Sequence, residues 1–407
     1  MVMLLNLSKL GVSRRYRTLL TICVIGLLLI IYVLVNRPKY TEKTVIDVNK
    51  WLENPTTGCR TYFTGYGHEF VWLRYARVDK TTKTFSIPCE NKIPAYNFNY
   101  GKEGTILKEW MKQLGMFPYS ELSKFQKSAI DTATIAVMRY EAHNLYHTLC
   151  EWYNVFIVTK LLRLDPKHVN ILFMDDRPRG LMDDTWDTLF GNVSRYSELS
   201  PEVVFRNLIW NVIGYESPMN FHNLNILPYM NDFYSFFIGS FGVNEQKALN
   251  CGHLHVTIIW RKDYMTHPER QNETGGLVHR KFKNEEEILQ TVQDVFPSHS
   301  IKAVILEEMD MQQQVNLFTN TDLLIGMHGA GMSHVMFLPQ HAAVFETFPN
   351  YWGFLKHFKA FSRWRGIKYL GWQNSDPKNE YPHFYTLLPP EVLRSHLEEL
   401  KLYLCPS

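Results

Sequence analysis

Residues 322–349 read DLLIGMHGAGMSHVMFLPQHAAVFETFP, and this stretch indicates the fold. An apolar strand pattern over 322–327 runs directly into a turn rich in glycine, 326–331. A helical pattern follows as far as Pro339, and a second apolar strand pattern covers 342–348. Strand, helix and strand in this order are typical of a βαβ unit, which requires a parallel sheet.

The same alternation extends through most of the chain and predicts two α/β layers with a boundary near residues 225–252. Strands are predicted at 135–138, 168–174, 203–213, 253–260, 301–306 and 367–372. Helices are predicted at 142–162, 183–190, 231–249, 284–295, 311–319, 352–364 and 390–404. Ligands of open parallel sheets bind beyond the carboxyl ends of the strands, so we expect the chemistry there.

The composition is that of a globular protein. Of 407 residues, 45% are hydrophobic and 20% charged, which excludes a disordered or coiled-coil chain. The 43 basic and 40 acidic residues are too balanced for a dedicated nucleic-acid binder. Outside the apolar N-terminal segment there are five cysteines and no Cys-x-x-Cys, so at least one thiol is unpaired. Cys150, inside a predicted helix, is the candidate, and the pairing of the other four is open.

The N-terminal region contains an apolar segment. Residues 19–35 carry no charge over 17 positions, which favours an uncleaved signal-anchor over a cleaved signal peptide. Basic residues flank both sides equally, but the cluster at 14–17 favours a cytosolic tail over 1–18. Residues 36–57 then form a short stem. Glycosylation sequons at Asn192 and Asn272 fit a lumenal body.

The turn at 326–331 is a candidate anion site, because such a turn leaves backbone N–H groups uncovered at a helix start. The alternative is a tight turn without a ligand. Arg261 and Lys262 end a predicted strand, where a forked guanidinium suits a diphosphate. Arg280 and Lys281 are weaker candidates. Glu346, at the end of another strand, is a candidate acceptor for ribose hydroxyls or a salt-bridge acid.

One predicted helix carries a polar stripe. His143, His147 and Glu151 have i, i+4, i+8 spacing, with Asn144 at the edge. The stripe fits a cleft wall in which His147 or Glu151 is a general base, a buried polar network, or less well a metal site. The acidic pair 175–176 also follows a strand, and we favour a structural role over metal binding.

These motifs resemble glycosyltransferase family 61. The family combines an HGAG turn, a downstream histidine, a Leu-Pro pair and a glutamate, here at 328–331, His334, 338–339 and Glu346. Asn144, His147 and Glu151 resemble its N-terminal-half motif. The similarity covers roughly residues 130–372, and the region 59–125 finds no match.

The resemblance implies a GT-B fold of two facing Rossmann-like domains, 58–250 on the acceptor side and 251–407 on the nucleotide-sugar side. It implies inverting, metal-independent transfer from a UDP-sugar without a cofactor. The implied catalytic residues are Asn144, His147 and Glu151. The implied donor-binding residues are Arg261, Lys262, Arg280, His328, Gly329, Ala330, Gly331, His334 and Glu346.

Two branches of the family are similar to this chain. Residues 185–186 and 214–216 resemble the branch that transfers xylose from UDP-xylose in β1,2 linkage to the core mannose of N-glycans. The alternative branch transfers GlcNAc to EGF-like domains. A catalytically inactive, lectin-like protein is a third hypothesis. With its anchor, we expect a type II protein of the Golgi membrane.

Overall fold

The computed structural model describes residues 45–96, 110–175, 177–211, 217–243, 248–263, 277–353 and 355–406. All of them belong to one unit, Thr44–Ser407. The predicted membrane segment, Asp176, the segment 214–216 and Asn272 lie outside these ranges. Among the described residues, no helix is both long and apolar enough to cross a bilayer.

The C-terminal part forms a five-stranded sheet in which every pairing is parallel. The spatial order is Ser300–Ile305, His255–Trp260, Leu323–Met327, Ala343–Phe348 and Lys368–Gln373. In chain order this is 2-1-3-4-5, a doubly wound arrangement. The predicted strands of this half are confirmed to within one or two residues. The three central strands are almost completely buried, as expected for a parallel sheet covered on both faces.

Helices and turns alternate with these strands. They are Glu285–Val295, Met311–Phe318, Ala330–Phe337, His357–Arg365 and Pro390–Leu404. Three acidic residues occupy the first turn of Glu285–Val295, where the helix dipole favours negative charge. The segment after the glycine-rich turn is a 3₁₀ helix. Helix His357–Arg365 begins five residues later than predicted. It is capped at its C-terminal end by Gly366, whose φ of 69° favours glycine.

A nine-stranded sheet uses residues of the N-terminal half. Its parallel part has the order Val193–Arg195, Asn170–Phe173, Thr134–Val137 and Glu202–Asn211, which is 3-2-1-4 in chain order. Beyond Glu202–Asn211 the sheet continues with antiparallel strands, the first of which is Phe70–Asp79. Phe70–Asp79 pairs in turn with Phe63–Tyr66, which pairs with Thr56–Gly58. Phe70–Asp79 also pairs with Thr84–Pro88, which pairs in parallel with Gly115–Phe117. This extension was not predicted from the sequence.

Helix Leu145–Leu161 lies in the main hydrophobic core, which contains residues of both large sheets. Of its 17 residues, 15 are buried, which explains why it is apolar on nearly every face. Helices Asp183–Leu189 and Met230–Ser240 pack nearby. The predicted helix starting at 142 begins at Leu145 instead, so His143 precedes it and only His147 and Glu151 of the polar stripe are helical.

A small sheet and two disulfides complete the structure. Lys281–Phe282, Tyr385–Thr386 and Glu380–Tyr381 pair in that order. Cys59 bonds to Cys89 and Cys251 to Cys405, while Cys150 is a buried free thiol, as predicted. The second disulfide ties the start of the parallel sheet to the end of the last helix.

Candidate active site

The order of the parallel sheet places two predicted site segments side by side. Strands His255–Trp260 and Leu323–Met327 are neighbours, and their connections leave toward opposite edges of the sheet. This is the switch point at which open α/β sheets bind ligands. Arg261 follows the first strand and His328–Gly329 follows the second. The structure therefore brings together residues that are almost 70 positions apart in the chain.

Arg261 lies directly against the glycine-rich turn. Its Nε donates a hydrogen bond to the carbonyl of His279 at 3.1 Å. A Cβ atom added to Gly329 would lie 2.0 Å from Nη1 of Arg261, so no side chain fits here without moving the guanidinium. A Cβ on Gly331 would lie 2.8 Å from Leu306. The absence of side chains at these two glycines thus allows the turn to lie against the Arg261 guanidinium on one side and against Leu306 on the other.

His328 is held from behind by an acid. Its Nδ1 lies 2.6 Å from Oε1 of Glu346, whose Oε2 accepts a hydrogen bond from the hydroxyl of Tyr369 at 2.7 Å. Glu346 is completely buried, and this burial raises its pKa to about 8. This shift favours the protonated carboxyl, which donates to Nδ1 and places the imidazole proton on Nε2.

Glu346 and His334 were both predicted from the sequence to contact the nucleotide-sugar donor directly, but the structure places them elsewhere. Glu346 orients His328 from the core side. His334 is also completely buried, and its Nδ1 lies 2.7 Å from the carbonyl of Gly331 while its ring stacks on Phe318 at 4.1 Å. Burial lowers the pKa of His334 to about 4. This neutral ring supports the turn from behind.

Two of the four predicted cations lie near the turn. Arg261 and Arg280 both act electrostatically on His328, and burial together with these two charges lowers its pKa to about 2. The guanidinium carbon of Arg280 lies 4.3 Å from the centre of the Trp352 ring. Lys262 instead pairs with Glu285. Lys281 is completely buried and pairs with Asp263 at 2.5 Å.

A cluster of aromatic rings adjoins His328. His357 lies 5.6 Å from the His328 ring and 4.3 Å from the His222 ring. The hydroxyl of Tyr146, on helix Leu145–Leu161, lies 2.8 Å from Nε2 of His222. Sequence reasoning missed His222 and His357, because neither belongs to a local motif.

Positive charge surrounds this cluster. Burial, with the charges of Arg363 and Lys356, lowers the pKa of His222 to about 4. Burial and the neighbouring histidines lower the pKa of His357 to about 3. The neutral imidazoles lie among positively charged arginine and lysine side chains, so a bound anion would be stabilised here. The anion would offset the positive charge of these side chains and would allow the imidazole rings to accept protons.

The predicted catalytic residues lie at the start of helix Leu145–Leu161. Asn144 caps it, because its Oδ1 accepts a hydrogen bond from the Tyr146 N–H at 3.0 Å. Its Nδ2 donates to Oε2 of Glu141 at 2.9 Å, and the same oxygen lies 3.5 Å from Nε2 of His147. Glu141, which the sequence analysis missed, therefore joins Asn144 and His147.

Glu151 lies one turn further along and deeper. Its Oε1 accepts a hydrogen bond from the Tyr140 N–H at 2.5 Å, and its buried Oε2 contacts no donor among the described residues. Burial raises the pKa of Glu151 to about 8. Glu151 is therefore buried more deeply than His147, whose side chain is 14% exposed.

Asp175 is part of a buried ion-pair network. Oδ1 lies 2.6 Å from Nη2 of Arg139, and Arg139 also contacts Asp183 at 2.9 Å. Arg195 contacts the other oxygen of Asp183 at 2.6 Å. Within the described ranges, no group of three or more His, Cys, Asp or Glu side chains is arranged to hold a metal ion. Arg139 therefore occupies the position at which a cation would contact Asp175.

Comparison with known proteins finds a family to which the central part of the chain is similar. Residues 145–345 match the model of the Glycosyltransferase 61 family. This stretch contains His147, Glu151, Arg261 and the turn 328–331. The segment 145–345 is therefore similar to the glycosyltransferase 61 family. The resemblance predicted from the motifs is confirmed.

Two similar proteins are plant enzymes and a third is an animal enzyme. Beta-1,2-xylosyltransferase RCN11 of Oryza sativa subsp. japonica is 24% identical over 266 residues, which cover 59% of this chain and 49% of the relative. The Beta-1,2-xylosyltransferase of Arabidopsis thaliana is 25% identical, with coverages of 59% and 51%. The EGF domain-specific O-linked N-acetylglucosamine transferase of Drosophila melanogaster is 24% identical, with coverages of 69% and 54%. The aligned part is about half the length of each relative.

Proposed function

We propose that this protein is an inverting glycosyltransferase that uses a UDP-sugar. The observation that supports it is the placement of Arg261, Arg280 and the neutral, oriented His328 around a glycine turn at the sheet's switch point. Two guanidinium groups, an Nε2–H donor and backbone N–H groups suit the charge that develops on a departing diphosphate. Binding of UDP to the purified chain, measured by calorimetry, tests the proposal, and a chain that binds no UDP would refute it.

Within this proposal, the two large sheets are the two Rossmann-like domains of a GT-B fold. The parallel sheet then holds the donor, and the acceptor lies toward helix Leu145–Leu161. The family region and the doubly wound order of both parallel parts support this assignment. A structure with UDP bound tests it, with electron density for the diphosphate expected beside Arg261.

We assign the general base to His147. Inverting transfer requires a group that accepts the acceptor hydroxyl's proton as the new glycosidic bond forms and the bond from the sugar to UDP breaks. The side chain of His147 is 14% exposed and is partnered by Glu141, in the manner of a base held by an acid. Glu151 is the alternative, but it is buried more deeply, and this burial raises its pKa to about 8 and favours the protonated form.

For donor and acceptor, we propose xylose from UDP-xylose, transferred in β1,2 linkage to the core mannose of N-glycans. The names of the two plant relatives support it. The second candidate is GlcNAc transfer to EGF-like domains, which the larger aligned share of this chain with the Drosophila protein supports, at 69% against 59%. A panel of UDP-sugars, offered with N-glycan and with EGF-like acceptors, separates the two. Binding of UDP without any transfer would favour the inactive, lectin-like hypothesis.

We further propose metal-independent catalysis in the Golgi lumen by a type II membrane protein. Side-chain cations take the place of a metal as the charge stabiliser, so activity is expected to survive EDTA. Loss of activity in EDTA, restored by manganese, would refute metal independence. Exposed Asn192 is expected to carry a glycan in cells, and an unchanged electrophoretic mobility of Asn192→Gln would count against a lumenal body.

A further inference from the structure

A second aromatic feature lies at the same edge of the parallel sheet and has no part in the contacts described above. Strand Ala343–Phe348 is the direct neighbour of Leu323–Met327, so the segment after Phe348 emerges beside the glycine turn. Tyr351 lies in this segment and is 43% exposed. A large, half-exposed aromatic ring beside a cationic ligand site is suited to contact an apolar, planar part of the ligand.

The Tyr351 ring is fixed at its hydroxyl end. The N–H of Arg280 donates a hydrogen bond to the hydroxyl oxygen at 3.2 Å, and the hydroxyl donates to the carbonyl of Phe384 at 3.4 Å. A ring already held in place loses little conformational freedom when a ligand stacks on it.

The support of this ring is itself unusual. Arg280, His383 and Phe384 all have left-handed φ angles, of 64°, 61° and 64°, although none is glycine. The pairing of Lys281–Phe282 with Tyr385–Thr386 holds their backbones together, and the His279 ring stacks on Phe384 at 3.7 Å. Non-glycine residues persist in this region when the surrounding structure imposes it, and they concentrate at ligand sites.

Arg280 links this feature to the diphosphate site. Its backbone N–H contacts Tyr351, while its guanidinium lies over Trp352 and acts electrostatically on His328. One face of Trp352 is therefore occupied by Arg280. Arg280 thus connects Tyr351, through its backbone, with the glycine turn, through its side chain.

We propose that Tyr351 is the platform on which the nucleotide's base stacks. This inference rests on the proposed function and adds the residue that recognises the planar part of the donor. Stacking of a base on an aromatic side chain depends on the ring and not on its substituents. The hydroxyl of Tyr351 therefore positions the ring and contributes little to binding directly.

The test compares UDP with inorganic pyrophosphate, which has no base, on the purified full chain by calorimetry. Tyr351→Ala is expected to weaken UDP binding by about 5- to 150-fold, the range that corresponds to losing one stacked base. Its affinity for pyrophosphate is expected to stay within about twofold of wild type, which also shows that the variant is folded. Tyr351→Phe keeps the ring and is expected to bind UDP within about threefold of wild type.

Tyr403→Ala is the matched control, because Tyr403 is 44% exposed but lies on the last helix, and it is expected to bind UDP normally. Unchanged UDP affinity in Tyr351→Ala would overturn the inference and leave the proposed function intact. Equal weakening of UDP and pyrophosphate would overturn it too, since Tyr351 would then act only by holding Arg280. A wild-type chain that binds pyrophosphate but not UDP, or neither ligand, would refute the proposed function itself.

Discussion

Arg261 is the residue on which the proposed chemistry depends most directly. Removing one donor to developing negative charge typically costs about 10²–10³ in rate, so we expect Arg261→Ala to lower kcat by that factor. The melting temperature should change little, because a strand-end charge contributes little to core packing. Arg261→Lys should recover only part of the activity, since an ammonium cannot make the paired contact.

Lys262→Ala is the natural control for this measurement. Lys262 is adjacent in sequence, but its ammonium pairs with Glu285 on a half-exposed surface. Its removal should leave kcat within about twofold of wild type. Normal turnover in folded Arg261→Ala would instead exclude Arg261 from the site and make Arg280 the principal cation.

His147 and Glu151 can be separated by their neutral isosteres. We expect His147→Gln to abolish turnover and to retain UDP binding, because the base acts on the acceptor. Glu151→Gln should keep most of the activity, since burial raises the pKa of Glu151 to about 8 and the carboxyl is already neutral at pH 7. Single-turnover kinetics and UDP calorimetry measure the two effects.

The opposite result would transfer the role to Glu151. In that case wild-type activity would rise with pH through about 8, as the carboxyl loses its proton. Asp175 raises this pKa further, whereas Arg139, Arg177 and the Tyr140 N–H lower it. A pH–rate profile of Glu151→Gln that lacks this rise would confirm the assignment.

At the scale of single elements, the glycine turn is the most sensitive. A methyl group at position 329 would lie 2.0 Å from Nη1 of Arg261, so Gly329→Ala must displace the guanidinium. We expect UDP affinity to fall at least about tenfold, by analogy with a lost charge-assisted hydrogen bond of roughly 1.5–3 kcal/mol.

Gly239→Ala is the control for this variant. Gly239 lies within helix Met230–Ser240, and an added Cβ meets nothing within 4 Å. The substitution should therefore stabilise the fold by about 0.5–1 kcal/mol without changing UDP affinity.

The Cys251–Cys405 disulfide fixes the last helix onto the parallel sheet. Its cysteines are 154 residues apart, so the entropy of loop closure predicts up to about 5 kcal/mol of stabilisation. Cys59 and Cys89 are 30 apart, for which the same relation gives about 4 kcal/mol. We therefore expect the Cys251→Ser/Cys405→Ser variant to unfold at lower denaturant than Cys59→Ser/Cys89→Ser, as followed by circular dichroism. The reverse order would show that strain or residual structure outweighs loop length.

For the whole molecule, buried titratable groups predict a stability maximum near pH 6.5. Burial lowers the pKa of six described histidines, most strongly that of His222, His328, His334 and His357. The unfolded state therefore binds more protons, and stability falls as the pH drops below about 6.5. The pKa of two glutamates, Glu151 and Glu346, is raised to about 8, so the folded state binds more protons and stability falls as the pH rises from about 4.5 toward 8. Between pH 4.5 and 6.5 the two effects on stability oppose each other. The histidines outnumber the glutamates, so the net stability rises with pH in this range.

Thermal melts from pH 5 to 8.5 measure this maximum. Pyrophosphate should raise the melting temperature more at pH 5.5 than at pH 7.5, because a bound anion favours protonation of the histidines beside Arg261 and Arg280. A stability that rises steadily up to pH 8.5 would contradict the raised pKa of Glu151 and Glu346. A stability that does not fall between pH 6.5 and pH 5 would contradict the assignment of buried neutral histidines.

The amino-acid sequence was sufficient to predict the alternating strands and helices of the C-terminal half and to place Arg261 and the turn at 328–331 at the same edge of a sheet. It also made Cys150 the candidate for the free thiol. Periodicity and turn residues are local signals, and parallel strands necessarily end at one edge of the sheet. This is why residues from two separate motifs could be placed in one site without coordinates. The antiparallel strands between residues 56 and 88 were missed. Three of them have five residues or fewer and carry little local signal, and the ten-residue strand Phe70–Asp79 begins with four consecutive apolar residues and not with an alternating pattern.

Which of the candidate residues face the site depends on contacts that the folded chain makes between distant segments. Lys262 and Glu346 have the same sequence signature as functional strand-end charges, but remote partners turn them to Glu285 and to His328. His222 and His357 meet across 135 positions of the chain, and no spacing rule connects them. Contacts of this kind depend on strand order and core packing, which are global properties, and pKa shifts follow from the burial that these contacts create.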